Sequence, residues 1–285
     1  MRNKGDKMKI NRDFYKKKLV KVAGNGLVKV ITGIRRVGKS FLLFSIYRDY
    51  LREIGVDDRH VITVQLDDDD YAELRMPRNL SAWIKARLPQ DGRPTYVFID
   101  EIQLCKPPRE ELGLPTCVTF YDVLNSLMKK PGVDVYVTGS NSKMLSKDVV
   151  TEFRDRGDEI HIRPLTFDEF YAAYKGEKSR AWRDFWYYGG MPYTMYLNTH
   201  EEKAKYLQEL FRLTYIRDVI ERNNIKADSG VLETLLDITA STVGSLTNPS
   251  RLANTFLTEQ GLKIKSETVS QYLECFIDSY LLRRA

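Results

Sequence analysis

Val28-Lys-Val-Ile-Thr-Gly33-Ile-Arg-Arg-Val-Gly38-Lys39-Ser40-Phe-Leu-Leu-Phe44 sets a glycine-bounded loop between two apolar runs. Gly33, Gly38, Lys39 and Ser40 match the phosphate-loop pattern of Gly, four residues, Gly, Lys, then Ser or Thr. The flanks also match it. Val28–Thr32 is a β-branched run that reads as a buried strand, and Phe41–Tyr50 reads as an apolar helix. Strand, glycine loop and helix N-terminus together turn several backbone N–H groups into one concavity suited to phosphate. The expected cradle is the backbone of Gly33, Ile34, Arg35, Arg36, Val37, Gly38, Lys39, Ser40 and Phe41. Lys39 adds a point charge at the β- and γ-phosphates, and the Ser40 hydroxyl is a Mg²⁺ ligand. A nucleoside triphosphate is the expected ligand.

Working outward, Tyr96-Val-Phe-Ile-Asp100-Glu101 is an apolar strand that ends in adjacent carboxylates. Asp100 is placed to hold the Mg²⁺ shell as a Walker B aspartate does. Glu101 is placed to orient and deprotonate a water. The pair points to hydrolysis rather than transfer to a small acceptor. A further strand, Val133–Thr138, runs into Gly139-Ser140-Asn141, where Asn141 or Ser140 either senses the γ-phosphate or caps a helix over Ser142–Val149. Arg154 and Arg156 precede a last strand, Asp158–Ile162. They serve either as fingers to a neighbouring subunit's γ-phosphate or as partners of nearby carboxylates. The acidic run Asp67–Asp70 follows a strand at His60–Leu66. It reads as a solvated loop, the alternative being a place near the metal.

Strands alternating with helices up to Leu165 predict a three-layer α/β domain around a mainly parallel sheet. Further helices are expected at Asn11–Val22, capped by Asn11, at Leu80–Leu88 and at Thr119–Lys129. A capping box, Thr166-Phe-Asp-Glu169, opens a purely helical stretch containing Gly189-Gly-Met-Pro192, read as a lid over 166–225. Residues 226–285 hold three helices, the second behind Asn248-Pro249 and the third capped by Ser266. Their spacing resembles a helix-turn-helix core, with Leu281-Leu-Arg-Arg as the start of a wing strand before the sequence stops at Ala285.

The 285 residues carry a net charge of +6, with sixteen Lys/Arg against six Asp/Glu in residues 1–65. Residues 201–285 hold eleven against twelve, and the third helix of that tail offers Glu267, Glu274 and Asp278 but no Lys or Arg. A protein contact through this domain is therefore favoured over nucleic acid. No run approaches the ~18 apolar residues of a membrane span. Three isolated cysteines suggest no disulfide framework, so a cytoplasmic home is expected.

The order of motifs resembles the prokaryotic AAA-domain ATPases of the AAA+ superfamily. The residues that carry the resemblance are Gly33–Ser40, Phe98-Ile-Asp-Glu-Ile-Gln103, Val137-Thr-Gly-Ser-Asn141, Pro164-Leu-Thr-Phe-Asp-Glu-Phe170 and Gly189-Gly-Met-Pro192. The resemblance implies a P-loop core at 1–165, a helical lid at 166–225 and a winged-helix-like domain at 226–285. It implies ATP with Mg²⁺ as the cofactors and places Gly190 and Pro192 against the base. Relatives of this kind continue into a restriction-nuclease-like domain, before which this sequence stops. The expected activity is ATP hydrolysis coupled to conformational change or to assembly of a homo-oligomer. Two alternatives are a nucleotide-gated switch and a DNA-binding regulator with little hydrolysis of its own.

Overall fold

All five residues of strand β1, Val28–Thr32, are buried, because the strand lies inside a sheet covered on both faces. In the computed structural model, which describes residues 10–139, 157–223, 225 and 229–283, the sheet has five strands. The others are β2 (Val61–Gln65), β3 (Thr95–Asp100), β4 (Val133–Thr138) and β5 (Gly157–His161). Their order is β2-β3-β4-β1-β5, and every pairing is parallel. From β1 the chain crosses to the far edge, returns through β3, and inserts β4 beside β1. The last crossover continues in the same direction, past β1, to place β5 on its other side. β1 and β4 are thus neighbours whose connections leave in opposite directions, and at this switch point the C-terminal ends of β1, β4 and β3 lie side by side, where open α/β sheets bind ligands.

Alternation along the strands builds the two outer layers. Val28, Val30, Val97, Ile99, Val135 and Val137 face one core, shared with helices Pro77–Lys85 and Phe120–Met128. Ile31, Phe98, Tyr136 and Ile160 face the other, shared with helix α1 (Asp13–Val22) and the helix that follows β1. The expected three-layer α/β core is thus the observed one. Lys29 falls among the apolar residues of the second face and is fully buried. Its ammonium is met there by Asp134, whose carboxylate also accepts from the Tyr136 hydroxyl at 2.8 Å and the Gly24 N–H at 2.9 Å.

The helix after β1, here α2, runs through residues 39–53. Its middle, Leu42–Tyr47, winds as a π-helix between α-helical ends. The wider turn seats Tyr47 with its hydroxyl 2.8 Å from that of Tyr136. Two expected caps are corrected. Arg12 rather than Asn11 occupies the N-cap of α1, and Lys265 rather than Ser266 that of the last helix, neither giving a side-chain cap bond. The capping box at Thr166/Glu169 and the Asn248 cap with Pro249 behind it form as read, and two more boxes form at Thr119/Asp122 and Thr199/Glu202.

The chain separates into two compact units, Met1–Tyr196 and Leu197–Ala285. Among the described residues of the second unit every regular element is helical: residues 200–223, Ser229–Ser241, Pro249–Gln260 and Ser266–Asp278. Its core gathers Ile216, Leu235, Leu252, Phe256, Val269 and Phe276.

Candidate nucleotide site

Residues 33–38 join β1 to α2 through three left-handed positions, Gly33 (φ 139°), Arg36 (φ 62°) and Gly38 (φ 98°). Gly33 is required for space as well as for its dihedral, since a Cβ there would overlap the carbonyl oxygen of Ile162 just beyond β5. Gly38 is the N-cap of α2, and its carbonyl accepts the first helical bond from Leu42 N–H at 2.9 Å. The N–H groups of a helix start and the left-handed turns of such a loop make a concavity of the kind that suits an anion. Val37 is buried beneath it, Ile34 and Ser40 are half-buried, and Arg35, Arg36 and Phe41 reach the surface. Lys39 is buried, and its ammonium donates to the carbonyls of Gly33 (3.0 Å) and Ile34 (3.2 Å), which curls the loop around its own cation.

The two motifs read from the sequence come together where the Ser40 hydroxyl acts on the Asp100 carboxyl, in the direction that lowers its pKa. Asp100 is the last residue of β3 and only 2 % exposed. Burial pushes its carboxyl above the ordinary range, and the charges of Glu101 and Asp67 push the same way, while the Thr138 hydrogen bond and the nearby Ser40 hydroxyl oppose the shift. A buried carboxylate that costs energy to ionise, with the hydroxyl of the phosphate loop acting on it, fits a divalent cation. Asp67–Asp70 are all exposed, as a solvated run is, yet the Asp67 charge reaches Asp100.

Thr138, which sequence reasoning passed over for its neighbours, closes the site from β4. It is fully buried. Its hydroxyl donates to Asp100 Oδ1 and accepts from the Glu101 N–H at 3.1 Å. Glu101 itself sits in the left-handed region (φ 49°, ψ 49°), which bends the chain sharply out of β3 into the turn Ile102–Leu104. That bend brings the Gln103 amide onto the Glu101 carboxylate, so that Nε2 donates to Oε2. The only hint of either residue in the sequence is position: a polar side chain at a strand tip, or two residues past one.

Gly190 packs against the strand of chain that leaves β5. Its carbonyl accepts the Leu165 N–H at 2.7 Å, and a Cβ on it would overlap the Leu165 carbonyl. Pro192 opens the short turn Pro192–Tyr196 immediately after. Ser140, Asn141, Arg154, Arg156 and the helix expected at Ser142–Val149 lie outside the described residues. Among the described residues no cluster of three His, Cys, Asp or Glu side chains has metal-binding geometry, and no helix is long and apolar enough to cross a membrane. Cys105, Cys117 and Cys275 are free thiols.

The family described as an AAA domain matches residues 25–171, just over half of the chain. This protein belongs to that family, among the P-loop ATPases of the AAA+ type. The AAA match spans every strand of the sheet and both motifs of the site. Residues 179–285 match a family described as a domain of unknown function. Two curated relatives are named as uncharacterized proteins. One, from Haemophilus influenzae, is 28% identical over 284 residues, covering 98% of this chain and 67% of its own length. The other, from Methanocaldococcus jannaschii, is 29% identical over 289 residues, covering 96% of this chain and 58% of its own. The AAA chain thus spans only part of each relative. Solved structures similar to it include the Aeropyrum pernix ORC1 protein in complex with DNA, at TM-score 0.40 and 13% identity, covering 97% of this chain and 86% of that one. The Bacillus subtilis DNA clamp loader delta protein has a TM-score of 0.38 and 12% identity, covering 95% and 88%.

Proposed function

We propose that this AAA protein binds ATP with Mg²⁺ and hydrolyses it at the site between the Gly33–Ser40 loop and Asp100–Glu101. The observation that carries the reading is the acidic strand end itself, where Thr138 holds both the buried Asp100 carboxylate and the Glu101 N–H while the Ser40 hydroxyl of the phosphate loop acts on the same Asp100. Backbone amides of the loop and Lys39 hold the phosphates, and Lys39 exchanges the carbonyls of Gly33 and Ile34 for phosphate oxygens as it does so. Ser40 and Asp100 are the residues that would hold Mg²⁺, which when bound neutralises charge on the β- and γ-phosphate oxygens. Glu101 takes the proton of a water whose oxygen bonds to the γ-phosphorus. The bond to the β–γ bridging oxygen breaks in line, and ADP departs with that electron pair.

In this reading Asn141 senses the γ-phosphate, Arg154 or Arg156 completes a site shared between subunits, and Gly190 and Pro192 border the base. Nucleotide state is read out through the helical stretch after Leu165 and through the winged-helix-like tail at 226–285, whose acidic last helix suits a protein partner. A cytoplasmic location goes with this reading. The test is phosphate release from ATP at several protein concentrations, with Lys39→Ala beside the wild type. Mg²⁺-dependent turnover that the substitution abolishes supports the reading. Turnover that survives in Lys39→Ala overturns it. Specific activity that rises with concentration supports the shared site, and a flat one removes Arg154 and Arg156 from it.

A further inference from the structure

Gln103 is more than nine-tenths buried beside the acidic strand end, and one half of its amide is already committed. Nε2 donates to Glu101 Oε2, which fixes the amide's orientation because a carboxylate oxygen accepts only from a donor. Its other half, Oε1, is buried and has no hydrogen-bond partner among the described residues. A buried acceptor without a donor is costly, and a fold that needed only packing here would use Leu or Met. Glu101 is equally unusual. Its left-handed backbone, disfavoured for any residue with a Cβ, is held by the Thr138 hydroxyl on its N–H. That conformation creates the bend that folds Gln103 back upon it. Strain and an orphan acceptor therefore converge on one carboxylate and one amide.

We infer that Gln103 is a positioning residue for hydrolysis, and that its Oε1 and the Glu101 carboxylate together form a two-acceptor seat for the attacking water. The inference rests on the reading of Glu101 as the base. Water has two protons to donate. One goes to Glu101 and is transferred during attack. The other goes to Gln103 Oε1 and stays with the oxygen, which fixes the direction of the lone pair that attacks phosphorus. The Nε2 bond meanwhile stops the carboxylate from rotating away from that water. The seat acts on the water and not on the phosphates, so nucleotide affinity is expected to be independent of it.

The experiment compares wild type, Gln103→Leu, Glu101→Gln and the double variant. It measures single-turnover hydrolysis and binding of a fluorescent ATP analogue, with thermal melting to establish folding. Gln103→Leu is expected to lose about 10- to 100-fold in the hydrolysis rate, within the range general-base positioning supplies, with nucleotide affinity unchanged. In the Glu101→Gln background the same substitution is expected to cost less than it does alone, because both residues hold the same water and Gln103 also orients Glu101. Gln103→Asn, which retains the amide on a shorter stem, is expected to recover part of the rate. An unchanged or raised rate in a folded Gln103→Leu overturns the inference and leaves the ATPase reading intact. A loss that adds fully to that of Glu101→Gln, or that appears in affinity instead of rate, overturns it too. Full hydrolysis by Glu101→Gln removes the base itself, and both readings fall together.

Discussion

Thr138 binds Asp100 through its hydroxyl while it holds the backbone N–H of Glu101, so one side chain of β4 sets both carboxylates of the neighbouring strand end. The insertion of β4 between β1 and β3 is what makes this contact available. Thr138→Val keeps the volume and the β-branch but loses both bonds. Phosphate-release assays should show at least a ~10-fold fall in turnover, as expected for misplacing catalytic groups, with ATP affinity held within ~3-fold. Thr138→Ser should retain most of the activity. Valine at wild-type rate would contradict the bridging role.

Asp100 gives a prediction about pH. Burial raises its carboxyl above the ordinary 3.8, so the folded protein holds that proton more tightly than the unfolded chain. Ionisation therefore imposes a penalty that is fully present above the raised value. It is relieved as the pH falls through that value towards 3.8. Without Mg²⁺, Asp100→Asn should melt at or above the wild-type temperature near neutral pH, and the difference should shrink on acidification. With Mg²⁺ and ATP the wild type should gain thermal stability that the variant does not. A variant that is less stable at neutral pH without ligand would show that the carboxylate is not penalised.

The buried pair Lys29–Asp134 is the second place where charge sits inside the sheet. Asp134→Ala strands the Lys29 ammonium and removes the acceptor used by Tyr136 and Gly24, and should cost about 3–5 kcal/mol in denaturant unfolding. Lys29→Met with Asp134→Leu should recover much of that loss, because two apolar side chains leave no unpaired charge behind. Recovery failing in the double variant would assign the pair a role beyond mutual neutralisation.

Gly190 packs so closely on Leu165 that no side chain fits between the two backbones. Gly190→Ala should destabilise the first unit by about 1–3 kcal/mol, the usual cost of forcing a methyl into filled space. Weakened nucleotide binding beyond that loss would support the place of Gly190 and Pro192 beside the base. Unaltered affinity in the folded variant would remove them from it.

Much of the fold was legible because its strands announce themselves. Val28–Thr32, Tyr96–Asp100 and Val133–Thr138 are short β-branched or aromatic runs, each bounded by turn residues or charge, and parallel strands covered on both faces produce such runs. The phosphate loop and Asp100–Glu101 were legible because their spacing is dictated by phosphate and cation geometry. What the sequence hid depends on contacts between distant residues. Lys29 reads as a surface lysine until Asp134, more than a hundred residues later, arrives beside it. Thr138 and Gln103 look like ordinary polar residues until strand order and the left-handed bend at Glu101 put them against the carboxylates. The π-helical turn at Leu42–Tyr47 has no compositional mark either, and the Tyr136 that meets Tyr47 at its end comes from a strand 89 residues later.

The central claim is that Glu101 activates water for attack on a nucleotide held by the Gly33–Ser40 loop. The most direct measurement is single-turnover phosphate release from ATP with Mg²⁺, comparing wild type with Glu101→Gln, alongside nucleotide affinity for each. The account predicts that wild type hydrolyses ATP, and that Glu101→Gln binds it as tightly while losing ~10²-fold or more in rate. Equal rates in the two proteins would contradict it, as would a wild type that binds ATP and never cleaves it.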